Sequence, residues 1–149
     1  TDTDTDTDRI SMMDLTELKE TFALFEDWED RYRFVIELGN DLPTLSDADR
    51  IEENLIRGCQ SQVWLTHRRQ GDSLAFSIDS DAHIVRGLSA IVLIAINDRT
   101  IAEIIETDIG KLFEEIQLLS HLSPTRGNGL RAMIERVQRV AQNAAADNS

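Results

Sequence analysis

The 149-residue chain holds one cysteine, two prolines and two lysines, and only 5% of it is aromatic. One thiol cannot close an internal disulfide, and alone it cannot cage zinc or supply the ligands of an iron–sulfur cluster. His67, His83 and His121 are scattered and do not pair at metal-ligand spacing. No glycine-rich phosphate loop is present, since Arg126-Gly127-Asn128-Gly129 lacks both the lysine and the preceding strand. The longest apolar run, residues 90–96, is far short of the ~20 residues of a membrane helix. The N-terminus is a Thr-Asp repeat, not a basic segment followed by an apolar one, so it does not read as a signal peptide. Without an export signal or a disulfide pair, the expected compartment is the reducing cytoplasm. Basic residues are also scarce: 15 against 28 acidic ones, for a formal charge of −13. A phosphate backbone would be repelled by that field, which argues against a nucleic-acid ligand. So many carboxylates make chance acidic pairs common and uninformative. Acid excess with little lysine accompanies life in high salt, but strong charge also simply keeps a protein soluble.

What is present fits one domain. Residues 1–11 form an acidic, low-complexity leader with nothing to bury, expected to be disordered. Residues 12–149 form the domain, with a tail expected to fray from about Asn143. Asp14 followed by Glu17 has the form of a capping box, and Leu15, Leu18, Phe22 and Phe25 then recur at helical spacing. A second helix carries Trp28, Tyr32, Val35 and Ile36 and stops at Gly39-Asn40. Residues 54–57 read as a short strand. Val63, Leu65 and His67 alternate with Trp64, Thr66 and Arg68, and Leu74, Phe76 and Ile78 alternate again after a Gln70-Gly71-Asp72 turn. These three strands form an antiparallel meander in this reading. Asp79-Ser80-Asp81 offers cap oxygens to a helix through Ile84, Leu88, Ile91 and Ala95, although Ile91-Val92-Leu93-Ile94 alone has the composition of a strand. Residues 98–107 and 109–119 read as two short helices. Ser123-Pro124 starts a last one, with Leu130, Met133, Ile134, Val137 and Val140 as its apolar stripe. The fold class is α+β, a small three-stranded antiparallel sheet packed against several helices.

The one cysteine lies in Gly58-Cys59-Gln60-Ser61-Gln62-Val63-Trp64. A lone cysteine is usually a small buried apolar residue. Here a glycine precedes it and three polar residues follow, the pattern of a loop entering a strand. If the thiol has a task, the task is nucleophilic or sulfur-carrying chemistry. A hydrolase would need a base near it. His67, eight residues on, is the one nearby candidate, but it reads first as a half-exposed strand residue. No motif for a cofactor or metal accompanies the thiol.

Four blocks, in order, resemble the SufE family of sulfur acceptors. They are Trp28-Glu29-Asp30-Arg31-Tyr32-Arg33-Phe34-Val35-Ile36-Glu37-Leu38; Gly58-Cys59-Gln60-Ser61-Gln62-Val63-Trp64-Leu65; Asp79-Ser80-Asp81-Ala82 with Ile84-Val85-Arg86-Gly87-Leu88; and His121-Leu122-Ser123-Pro124-Thr125-Arg126 with Gly129-Leu130. The similarity spans about residues 14–140 and looks closer to SufE than to its CsdE paralogue. It implies a SufE/IscU-like fold without the IscU ligand set. It also implies an accessory protein rather than a stand-alone enzyme. Such a protein takes persulfide sulfur from a pyridoxal-phosphate-dependent, SufS-like cysteine desulfurase, stimulates that enzyme, and passes sulfur towards a SufBCD-like scaffold for iron–sulfur cluster assembly. By the same resemblance Cys59 is the acceptor nucleophile, tucked into an apolar cavity at rest. Gly58, Gln60 and Ser61 support its loop, and Asp81, also read as a helix cap, lies towards the partner-facing surface. Arg126 comes near the loop, where it either pairs with a partner or sulfur anion or forms an internal salt bridge. Trp64 reads as core or as contact. The alternatives are a CsdE-like donor to another sulfur pathway, a small cysteine hydrolase, or an acidic binding module with an inert thiol.

Overall fold

The computed structural model describes residues 14–57, 61–97 and 99–147. The leader expected over residues 1–11, Gly58, Cys59 and Gln60 of the expected loop, and Asp98 lie outside them. Among the described residues the order is α1 (Leu15–Leu24), α2 (Trp28–Asn40), β1 (Val63–Gln70), β2 (Ser73–Ser80), α3 (His83–Ile96), β3 (Arg99–Thr100), α4 (Ile101–Glu106), α5 (Ile109–Glu115) and α6 (Pro124–Asp147). The α+β class and the three-stranded antiparallel sheet are as the sequence leads one to expect.

The local signals explain most elements. Asp14 caps α1 by accepting the Glu17 N–H at 2.8 Å. Gly71 has φ 61 in the two-residue β1–β2 turn. Only glycine takes the first position of such a turn cheaply. The register runs from Val63 opposite Ser80 to Gln70 opposite Ser73, so Leu65, Ile78, Phe76 and Leu74 share the face that meets the helices. Helix α3 is buried at every residue from Gly87 to Ile96. That settles residues 91–94 as helix: the apolar run continues because α3 is surrounded, not because it is a strand. Ser123 caps α6 through its Oγ, which accepts the Arg126 N–H at 3.3 Å, and α6 is helical through Asn143 to Asp147.

Two expectations need correction. Residues 54–57 are not the first strand of the meander. Glu52–Asn54 is a 3-10 turn, and only Leu55 bridges Trp64. Asn54 Nδ2 donates to the Asp49 carbonyl at 2.8 Å, a local bond that competes with strand formation. The third strand is instead Arg99–Thr100, paired with Ser73 and Leu74. It stays short because Asn97 substitutes for the next rung: its Oδ1 accepts the Phe76 N–H at 2.9 Å and its Nδ2 donates to the Phe76 carbonyl at 3.2 Å. Helix α3 also starts differently. Its N-cap is Ala82, with no side-chain acceptor, and the oxygens of Asp79 and Asp81 are used elsewhere.

Helix α3 is the axle of the fold, packed against α2 on one side and β2 on the other. It approaches α2 backbone to backbone. A Cβ on Gly87 would lie 2.5 Å from Val35 Cγ1 and closer still to the Val35 carbonyl oxygen, and one on Gly39 would lie 2.5 Å from Gly87 N. Gly110, by contrast, has only Asp108 Oδ1 within reach, at 3.6 Å. Gly87→Ala should therefore destabilise the protein by at least about 1–3 kcal/mol, because backbone must move. Gly110→Ala should stabilise it by roughly 0.5–1 kcal/mol through helix propensity. Urea denaturation of the pair checks the crossing: equal midpoints would mean that α2 and α3 do not touch this closely.

Candidate functional site

A pocket of about 110 Å³ opens between α3 and the first turns of α6. Its floor is apolar: Val85 and Leu88 from α3, Leu130 and Met133 from α6. Its rim is polar and comprises Ser61, Thr125 and Arg126. The capping of α6 by Ser123 turns residues 125 and 126 outward in the first helical turn, while Gly127 and Leu130 face inward. Arg126 is exposed, and among the described residues its guanidinium makes no ion pair or hydrogen bond. The internal salt bridge weighed for it does not form with any described residue. Ser61 stands two residues after Cys59 in the sequence. Two segments distant in sequence thus share one cavity.

The stems of the cysteine loop are pinned on both sides. On the entering side Ile56 N–H donates to the Val63 carbonyl at 2.8 Å. On the leaving side Asp81 and Gln62 hold each other: the Gln62 N–H donates to Asp81 Oδ1 at 3.1 Å, and the Asp81 N–H donates to the Gln62 carbonyl at 3.3 Å. Asp81 is therefore not the helix cap that its position suggested. Its carboxylate extends the β1–β2 ladder by one rung and fixes where the loop rejoins the sheet. Trp64, next on β1 beyond Val63, is half-buried beneath Arg50, whose guanidinium carbon lies 5.5 Å from the ring centre. His67 is exposed further along β1, its ring 6.2 Å from that of Phe76. Among the described residues no three His, Cys, Asp or Glu side chains gather where a metal would bind.

Sequence reasoning missed Asp79 as anything but a possible cap. Its side chain is wholly buried. Oδ2 accepts the Leu45 N–H at 3.0 Å and Arg50 Nη2 at 2.7 Å, while Oδ1 accepts the Ser80 N–H at 2.8 Å and Arg86 Nη1. Arg86 continues the network by donating to the Gly39 and Leu42 carbonyls at 3.2 and 2.7 Å. Burial pushes the Asp79 carboxyl up. The Leu45, Arg50 and Ser80 hydrogen bonds and the Arg86 charge outweigh it and hold the carboxyl below its ordinary value. The available signal was the strand alternation itself: the rung Trp64–Asp79 lies on the face opposite the core, where a charge needs a reason to be covered.

Residues 16–141 match the family model described as SufE, Fe-S metabolism associated domain. The chain is 45% identical over 143 residues to an uncharacterized SufE-like protein of Rhizobium etli, covering 93% of this chain and 97% of that one. It is 46% identical over 135 residues to a second such protein, from Rhizobium meliloti, covering 88% and 96%. The solution structure of a hypothetical protein from Thermus thermophilus superposes with a TM-score of 0.72 over 89% of this chain and 96% of that one, at 17% identity. That likeness speaks for the fold alone.

Removing the Asp79 charge should cost about 3–5 kcal/mol, the usual penalty for leaving a buried partner uncompensated. Its lowered pKa means that its contribution is complete above the unfolded carboxylate value, near pH 4, and is lost as pH falls through the folded value. Thermal melts from pH 6 to pH 2.5 should show a smaller acid-induced fall for Asp79→Asn than for the native chain; parallel curves would contradict this. Asp81→Ala removes one loop anchor, so Cys59 should alkylate about two- to tenfold faster in the folded protein, the effect of losing one hydrogen bond. Unchanged alkylation would show that Asp81 does not restrain the loop.

Proposed function

This chain belongs to the SufE family of Fe-S metabolism associated domains, and we propose that it is a sulfur acceptor whose nucleophile is Cys59. Its donor is the persulfide of a pyridoxal-phosphate-dependent, SufS-like cysteine desulfurase, and its product supplies a SufBCD-like scaffold in the cytoplasm. The observation that carries this reading is the shared pocket: Ser61 from the cysteine stretch and Arg126 from the last family block line one cavity with an apolar floor. Two residues of chain span at most about 7 Å, so Ser61 tethers Cys59 within reach of that cavity.

The chemistry is an exchange without net oxidation. The Cys59 thiolate attacks the outer sulfur of the donor persulfide. A new S–S bond forms on Cys59, the donor S–S bond breaks, and its electron pair leaves on the donor cysteine as a thiolate. An apolar floor disfavours the free thiolate and slows stray oxidation while no partner is present. At the rim, the guanidinium of Arg126, without an ion pair or hydrogen bond among the described residues, can meet a partner carboxylate or the persulfide anion after docking. The pinned stems fix Ile56 and Gln62 on either side of the cysteine stretch. The hydrolase alternative has no support: His67 lies about 13 Å along β1 from Val63 and is exposed on the strand. A CsdE-like handover to another pathway uses the same first step and differs only in the final acceptor.

Cys59→Ser should fold with a loss of no more than roughly 1–3 kcal/mol and should fail to stimulate the desulfurase. Steady-state turnover of a SufS-like enzyme with cysteine, measured with and without each protein, checks this. Equal stimulation by native and variant chains would show that Cys59 is not the covalent acceptor.

A further inference from the structure

We infer that His121 is a positioning residue for Arg126, set by a clamp on the first turn of α2. The inference rests on the sulfur-transfer reading above and extends it to residues outside the pocket. The connection from α5 to α6 is held near its start by Leu118, which is fully buried. From there to the buried Gly127, no side chain is buried; Leu119 and Leu122 are partly covered and His121 is exposed. Yet this stretch decides where α6 begins, and so where Thr125 and Arg126 stand over the pocket.

Two side chains of α2 grip it. Trp28 and Arg31 are three residues apart and so lie on one face of the helix. The His121 ring stacks on Trp28 with centres 4.5 Å apart and planes 15° from parallel. Arg31 Nη1 donates to Gln117 Oε1 at 3.1 Å, while its Nη2 donates to the Phe25 carbonyl at 3.0 Å. Gln117 is the described non-glycine residue with positive φ, at 60°. It closes α5 in the left-handed conformation that glycine usually takes there. A glycine would fit that backbone more easily but would leave Arg31 without this acceptor. The clamp thus has two teeth, one at each end of the segment from Gln117 to His121. Beyond His121 the chain turns through Ser123, whose carbonyl and hydroxyl receive the Gly127 and Arg126 N–H groups. The Arg126 side chain makes no hydrogen bond or ion pair with a described residue, so its placement follows the first turn of α6, which this upstream grip and the Ser123 cap set together.

The test is a double-mutant cycle on desulfurase stimulation, titrating the native chain, His121→Ala, Arg126→Ala and the double variant, with His121→Phe as the stacking-competent replacement. His121→Ala should weaken transfer by about two- to tenfold, the range one aromatic pair can supply. His121→Phe should restore it. In the Arg126→Ala background the further loss should vanish, because both changes remove one effect. Hydrogen exchange at the Thr125, Arg126 and Gly127 amides should quicken in His121→Ala and recover in His121→Phe. Purely additive losses, or an unchanged titration, would overturn the inference even if the melting temperature falls. A native chain that accepts no sulfur, with the exchange effect still present, would sink the sulfur-transfer reading and leave His121 a structural residue only.

Discussion

One buried carboxylate organises this fold. Asp79 joins four pieces of chain: its own strand β2, the connector through Leu45 and Arg50, the axial helix α3 through Arg86, and, by way of Arg86, the carbonyls that end α2. Burying these charges removes them from water, so the network contributes less net stability than its short distances suggest. Its larger effect is on placement. Four donors approach from three parts of the chain, and an arrangement that displaced any one of them would leave a charge or an amide uncompensated out of water.

The site inherits that placement. Val85 and Leu88, on the pocket floor, flank Arg86 and Gly87, the residues through which α3 grips α2. Asp81 lies two residues beyond Asp79 and holds the leaving stem of the cysteine loop. The same short stretch thus anchors the core with one aspartate and the loop with the next. A rigid frame is what a transferable sulfur needs around it, and the packed floor and the hydrogen-bonded stems supply one.

Much of the fold was legible because its signals are local. Gly71 marked the hairpin turn, Gly39 and Asn40 the end of α2, and Ser123 with Pro124 the start of α6, each through backbone chemistry at that position. The third strand was not legible, because its rung is completed by the Asn97 side chain, a contact 21 residues distant from Phe76. The stretch Asp79-Ser80-Asp81 was misjudged for a related reason. Composition says that three oxygens precede a helix, but the ladder register puts Asp79 on the face that the connector through Leu45 and Arg50 covers, and sets Asp81 against Gln62. At the site, the residue pattern alone singled out Cys59, and Arg126 entered only through the resemblance. Spacing could not bring Arg126 to Ser61, because their meeting depends on the angle between α3 and α6.

A sulfur acceptor of this kind must gain its sulfur at one atom, Cys59 Sγ. Intact-mass measurement after incubation with a SufS-like desulfurase and cysteine tests it most directly, followed by peptide mapping of the product. The predicted result is a gain of one sulfur atom per chain, located on the peptide containing Cys59 and removed by a thiol reductant. An unchanged mass while the desulfurase turns over, or sulfur that survives reduction, would contradict it.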